Sequence, residues 1–341
     1  LTYIKKGFFI MALPLFRQTK HSINLYISNY SIQLLELKST DPLVVNHFVE
    51  TYLPEGIVVD GQIKDADKLA MILDQCMSDW GIKRKQVRFI TPDAFISVRK
   101  VKVPADLKDD EIKGYLYLEL GNNIHLPFEE PVFDFVPLQE TETEKEILLF
   151  AAPEAMIEQY TELLDDLKLE ATAADLSALS NYRLLYNKQH VKSKDNTLLV
   201  EVKLDSVNFS IFEDCKPIFT RHLPLEGMLK KWSYKLEPET QLYYQYECKE
   251  PEELSLQFRD VVKEIEKIIN FYRFSLHQGD HQITHIELLG DNPYIHELQK
   301  DLKELGTSIT ISLFKDRVYT HKNIAVPAKF HTVLGLALKE V

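Results

Sequence analysis

The chain holds 341 residues, with 40 Lys and Arg against 52 Asp and Glu, for a formal charge of −12; 45% are hydrophobic and 27% charged. This is a globular composition with length for about two domains, and its negative balance argues against nucleic acid or broad adhesion to an anionic membrane, both of which need excess Lys and Arg. The scattered cysteines Cys76, Cys215 and Cys248 form no C-x-x-C pair, so they offer no disulfide framework, zinc motif or redox motif, and a reducing compartment fits.

Residues 1–20 are expected to form a flexible N-terminal tail. Two lysines precede the apolar run Gly7 to Phe16, as in a secretory signal, but no small-x-small cleavage site follows. The run is too short to span a bilayer. Met11 is a more natural start than Leu1, and no other stretch reads as transmembrane. Residues 23–37 then read as strand, and Leu43 to Tyr52 as a second. Pro54-Glu55-Gly56 and Asp60-Gly61 break the chain. Leu69, Ile72, Leu73, Cys76, Met77 and Trp80 follow at helical spacing, with Gly81 at the C-cap position. Val87 to Thr91 is a strand.

Residues 96–103 read as strand. A helix with acidic residues Asp109, Asp110 and Glu111 in its first turn follows, its inner face carrying Ile112, Tyr115, Leu116 and Leu120. Strands at 132–136 and 146–151 come next, and then a helix opened by Pro153 as a first-turn proline, with Met156 to Leu167 on one face. Residues 96–167 thus form a strand–helix–strand–strand–helix unit. A strand near 170–174 leads to Asp175, read as the N-cap of a helix to Tyr186. Polar residues 187–196 make a linker, after which the pattern restarts. Leu198–Val202, Val207–Phe212 and Pro217–Arg221 are strands, and a long helix runs from Leu254 to Tyr272. Ile283–Leu289 is a strand, 293–305 a helix, 309–313 a strand and 329–340 a final helix. Two halves each open with a β-meander and then alternate helix and strand, an α/β architecture with weak internal duplication.

Several stretches resemble the PilM proteins of type IV pilus assembly, relatives of the cell-division protein FtsA. Leu53 to Ile63 (LPEGIVVDGQI) is similar to the family's G-x-(I/V)-x-D-G-x-I segment. Glu119 to Asp134 resembles E-x-x-x-x-I-P-F-x-x-E-x-x-x-D, and Ala151-Ala152-Pro153 resembles an AAP helix start. Val207 to Pro224 (VNFSIFEDCKPIFTRHLP) resembles TNLSIFxxGxPxFTRxLP, and Leu334 to Leu338 resembles LGLALR. The ordered set spans about residues 20–341. The resemblance implies a two-lobed actin-like ATPase fold of the ribonuclease H-like kind. Lobe I would be 21–190, including an FtsA/PilM-type α+β subdomain inserted at 96–167, and lobe II 191–341.

The nucleotide loops depart from the family pattern. Where the first phosphate loop reads G-I-D-I-G-S-S-S, this chain has Asn24-Leu25-Tyr26-Ile27-Ser28-Asn29-Tyr30-Ser31. Tyr26 replaces the acid, Ser28 replaces the glycine, and Ser28 and Tyr30 crowd the turn. In the second loop Glu201 keeps an acid, while Lys203 stands where V-D-I-G has its glycine. The adenosine-side segment keeps only Gly290, followed by Asp291. The expectation is a pseudo-ATPase without a cofactor. The alternative is an active actin-like ATPase that binds ATP and magnesium between its lobes, with Glu201 the one acid to nominate.

His277, His281 and His285 recur every four residues and invite a metal, but Gly279, Asp280 and the strand beyond Ile283 break any helix that would align them. Loop histidines are the expectation, with no metal site. Acidic pairs such as Asp109-Asp110 and Glu129-Glu130 suit helix starts and turns. No G-x-S-x-G, P-loop or dinucleotide fingerprint is present. The resemblance implies a groove beside the inserted unit that takes the cytoplasmic N-terminal tail of a PilN-like inner-membrane protein, and Phe95, Tyr115, Tyr117, Ile124, Leu126 and Phe128 are its candidates. The function expected is a cytoplasmic scaffold, peripheral to the membrane through that partner and capable of self-association. An FtsA-like filament former needs a C-terminal amphipathic helix, and the sequence ends at Leu338 to Val341 without one.

Overall fold

The computed structural model describes residues 22–82, 86–306 and 308–339; the expected tail, 1–20, lies outside them. The chain opens with a meander: β1 (Ile23–Ile27), β2 (Ser31–Thr40) and β3 (Leu43–Tyr52), with β2 antiparallel to both neighbours. Residues 23–37, read as one strand, are therefore a hairpin. Ser28 Oγ accepts the backbone N–H groups of Tyr30 and Ser31 and so turns the chain, a role suited to serine. A short ribbon, β4 (Val58–Val59) with β5 (Gln62–Ile63), leads to α1 (Ala66–Asp79), which buries Leu69, Leu73, Cys76 and Met77. Gly81 closes it as expected, its N–H bonded to Ser78 O. β6 (Gln86–Ile90) lies parallel to β1.

A 3₁₀ turn, Asp93–Phe95, leads away from this sheet. β7 (Ser97–Pro104), α2 (Asp109–Glu119), β8 (Pro131–Glu140) and β9 (Glu144–Pro153) follow. Their strands form a separate antiparallel sheet, β7-β9-β8, against which α2 buries Ile112 and Leu116. Next is α3 (Glu154–Asp166), with Pro153 at its N-cap rather than inside its first turn. This helix divides its apolar face. Met156 and Ile157 pack with Phe95 and Ala152, whereas Tyr160, Leu163 and Leu164 enter the core of the first sheet. The end of the strand–helix–strand–strand–helix unit is thus anchored in the first half.

β10 (Glu170–Asp175), parallel to β6, completes the first sheet, and α4 (Ser177–Asn187) follows. Asp175 does not cap α4. Its fully buried carboxylate faces inward to Arg183 at 3.0 Å, Ser180 Oγ at 3.2 Å and Lys339 at 3.5 Å. A buried carboxylate needs such partners more than a helix end needs a cap.

The second half repeats the plan. β11 (Thr197–Val202), β12 (Ser206–Glu213) and β13 (Lys216–Pro224) form a meander. β14 (Trp232–Leu236) and β15 (Tyr244–Cys248) form a hairpin that periodicity does not reveal, since its residues are mostly polar or aromatic. α5 (Pro251–Asn270) continues into a π-helical segment, Phe271–Leu276. β16 (His285–Gly290), α6 (Ile295–Glu304) and β17 (Thr310–Leu313) follow, with β16 parallel to β11 and β17. A last ribbon, β18 (Val318–Tyr319) with β19 (Ala325–Val326), precedes α7 (His331–Ala337). The final helix is shorter than 329–340 because a 3₁₀ turn, Ala328–Phe330, comes first.

The sheet orders are β3-β2-β1-β6-β10 and β13-β12-β11-β16-β17, the same path traced twice. One apolar core joins the halves, with α4 and α7 packed at its centre. They meet so closely that a Cβ on Gly335 would lie 1.9 Å from Ser180 O. Among the described residues no helix is long and apolar enough to cross a membrane. Gly335→Ala should force the two helices apart and cost about 1–3 kcal/mol in urea unfolding; unchanged stability would contradict this packing.

Candidate functional site

The candidate nucleotide loops lie at the ends of β1, β11 and β16, where the two halves face each other. The β1–β2 turn, the β11–β12 turn and the end of β16 converge there. Lys203, immediately after β11, is 6% exposed. Its ammonium lies 2.6 Å from Asp93, 3.5 Å from Glu201 and 4.9 Å from the centre of the Tyr26 ring. Asn208 Nδ2 donates to both carboxylates, at 2.7 Å to Asp93 and 2.9 Å to Glu201. Its oxygen meets His222 Nδ1 at 2.7 Å. Ser177 Oγ donates to the other oxygen of Asp93, and Thr332 Oγ1 to Glu201 Oε1 at 2.7 Å.

These contacts fix the charges. Burial pulls the Lys203 pKa down, but Asp93 and Glu201 more than reverse this and hold it well above the ordinary lysine value. Burial pushes Asp93 up; the Lys203 ammonium and the hydrogen bonds from Lys203 and Ser177 bring it below the usual carboxylate range. Burial raises Tyr26, so its phenol stays neutral. Burial lowers His222, which favours the neutral ring. The cluster is thus one ammonium held by two acids, with neutral donors completing their shells.

Further side chains tie the loops across the halves. Asn29 Nδ2 donates to Asp205 Oδ2 at 2.6 Å, and Asn29 Oδ1 accepts the Gly61 N–H at 3.0 Å. Tyr30 does not crowd the turn as expected: its buried ring crosses to the second half, where its hydroxyl donates to Asp291 Oδ2 at 2.5 Å. Ser28 serves the turn itself. Gly290 is required by close approach, since a Cβ there would lie 2.0 Å from Val202 O. Asn292 Nδ2 donates to Lys203 O at 3.0 Å and pins the same loop. Tyr26, Ser28, Glu201, Lys203 and Gly290 are thus brought together. Sequence reading missed Asp93, Asn208, His222 and Thr332, which belong to other segments and carry no motif.

Phe95 packs apart from the other five residues proposed for a partner groove. Tyr115, Ile124, Leu126 and Phe128 are half-buried on the core of the β7-β9-β8 sheet. Phe95 belongs to a different cluster, with Met156 and Ile157. Tyr117 is 55% exposed, with its ring 4.7 Å from Phe133, and Leu118 beside it is 73% exposed. Between this sheet and the first half lies a small apolar cavity of about 30 Å³, lined by Ile96, Val132, Ala152, Ile157 and Leu176 among others.

The sequence matches the family model described as type IV pilus assembly protein PilM over residues 24–341. The fold is similar to a chain of a solved PilM–PilN type IV pilus biogenesis complex, at 19% identity and a TM-score of 0.70, covering 94% of this chain and 98% of that one. It is also similar to a Bacteroides thetaiotaomicron protein with an actin-like ATPase fold, at 11% identity and a TM-score of 0.50, covering 94% and 96%. No curated protein matches. The fold is therefore the expected actin-like one.

Two predictions follow from the charges. Lys203→Met leaves Asp93 and Glu201 without their cation and should cost about 3 kcal/mol in urea unfolding; a loss below about 1 kcal/mol would show that the cluster does not need it. Asp291 is pushed up to about 7 by burial. The folded chain keeps that proton while the unfolded chain releases it near pH 4, so this group's contribution falls as pH rises from about 4 to about 7. The stability of Asp291→Asn relative to the parent should therefore increase by about 2–3 kcal/mol between about pH 5 and pH 8. A pH-independent difference would refute it.

Proposed function

The chain belongs to the PilM family of type IV pilus assembly proteins, and on that premise we propose that it is a cytoplasmic adaptor of a pilus-assembly machine. It binds the cytoplasmic N-terminal tail of a PilN-like inner-membrane protein and is held at the membrane through that partner. It does so without hydrolysing ATP. The observation that carries this reading is the buried Lys203 cluster. The ammonium occupies the place where the resemblance puts a phosphate-binding glycine, and its charge is already satisfied by Asp93 and Glu201. Glu201 is engaged by Asn208 and Thr332 as well, so its lone pairs are spoken for. The Asn29–Asp205 and Tyr30–Asp291 bonds further favour a closed arrangement of the loops.

The tail would dock beside the inserted β7-β9-β8 unit. β8 is an edge strand of that sheet, which suits main-chain pairing with an extended peptide. Of the nominated side chains, Tyr117 has the most ring surface to offer, and Phe95 stands at the seam with the first half.

A synthetic tail of the PilN-like subunit from the same organism should bind the purified protein with a Kd in the micromolar range. Tyr117→Ala should weaken it at least about tenfold, equivalent to about 1.4 kcal/mol. MgATP should give no heat of binding in the same cell. Absence of peptide binding at about millimolar concentration would overturn the adaptor reading, and tight MgATP binding would overturn the pseudo-ATPase reading.

A further inference from the structure

The histidine spacing near the end of α5 has a structural outcome that no helix supplies. The π-helical segment Phe271–Leu276 ends in a tight turn, in which Gly279 N–H bonds Arg273 O at 2.7 Å and Asp280 N–H bonds His277 O at 2.9 Å. This turn folds His281 back onto His277, and their rings stack with centres 4.3 Å apart and planes 4° from parallel. His285, on β16, goes elsewhere and meets Glu287 at 2.9 Å. In its place the β12–β13 turn brings Glu213. Glu213 Oε1 lies 3.0 Å from His281 Nδ1 and 3.5 Å from His277 Nε2. The second contact lacks hydrogen-bond alignment, which leaves His277 Nε2 buried without a hydrogen-bond partner among the described residues.

We propose that Glu213, His277 and His281 form a binding site for a divalent late first-row metal ion of the zinc class, with water completing its coordination. Imidazole nitrogen and carboxylate oxygen are the donors such ions take, and two histidines with one glutamate leave one position open. Zinc bonds of about 2.0–2.2 Å in tetrahedral array put ligand atoms about 3.3 Å apart. The 3.0 and 3.5 Å separations bracket that value, and the three donor atoms lie within 4.8 Å of one another. Closing the site requires the two rings to turn out of their parallel stack, so that both in-plane lone pairs point at one ion.

The surroundings orient the carboxylate. Tyr272 donates to Glu213 Oε1 at 3.3 Å, and Lys100 Nζ lies 3.7 Å from Oε2. Outer partners of this kind fix a ligating group and limit it to one oxygen. The lysine charge opposes a cation, but it sits on the far oxygen. The π-helical geometry, uncommon and often associated with functional sites, is what carries the chain into the turn. An ion here would join the β12–β13 turn to the segment after α5, with Lys100 bringing in β7 of the inserted unit.

The test uses the full chain without a histidine tag, dialysed free of metal. Zn²⁺ should bind by calorimetry with one equivalent and a Kd at or below about 10 μM. Co²⁺ should give the visible absorption of a tetrahedral N/O site. His277→Ala and His281→Ala should each raise the Kd at least about tenfold, while His285→Ala should bind like the parent protein. No Zn²⁺ binding by the parent protein at about 100 μM, or an unchanged Kd in both ligand variants, would overturn the proposal.

Discussion

Lys203 carries a full charge into the seam between the two halves, and the surrounding chemistry is arranged to keep it there. A buried ion pair is stable only when its geometry is close and its remaining lone pairs are engaged. Here Asp93 and Ser177 come from the first half, Glu201 and Asn208 from the meander of the second, and Thr332 from the final helix. One ammonium thus depends on segments spread over most of the sequence, and those segments depend on it in return. The α4–α7 contact carries charges of its own, with Arg183 Nη1 donating to Gly335 O at 2.8 Å and Lys339 lying 3.5 Å from Asp175.

The loops at the seam show two different demands on a backbone position. Gly290 persists because backbone lies against backbone, a steric demand that holds with or without a ligand. At Lys203 no backbone approach of that kind applies, and the long side chain reaches two acids, Asp93 and Glu201. Membership in the PilM family sets the architecture, while the contents of the cleft belong to this chain.

Much of the architecture could be read directly. α1, α3 and α5 declare themselves because each buries one face, which imposes a period of 3.6, while β1, β11 and β12, buried on both faces, show as short apolar-rich runs between turn residues. The hairpin β14–β15 does not, because it meets β3 through irregularly spaced polar and aromatic contacts, such as Tyr244 N–H to the Glu50 carboxylate and Tyr234 against Tyr52. Asp175 was legible as an acid before a helix, but its partners Arg183 and Lys339 are fixed by tertiary folding. The site divides in the same way. Tyr26, Ser28, Glu201 and Lys203 stand out against the family's loop pattern, whereas Asp93 follows a strand with nothing local to mark it. His277 and His281 share no helix, in keeping with Gly279 and Asp280 between them, yet the turn stacks these two of the three rings.

Asn29 shows what such connections mean for movement. Its amide grips Asp205 in the second half, and its oxygen holds the Gly61 backbone in the first. Tyr160 reaches the same Gly61 from α3 at 2.8 Å. Any swing of the second half about the α4–α7 contact must therefore drag the β4–β5 ribbon and load α3, the helix that leads out of the inserted sheet. The inserted unit and the seam are thus joined through three consecutive hydrogen bonds that share Asn29 and Gly61.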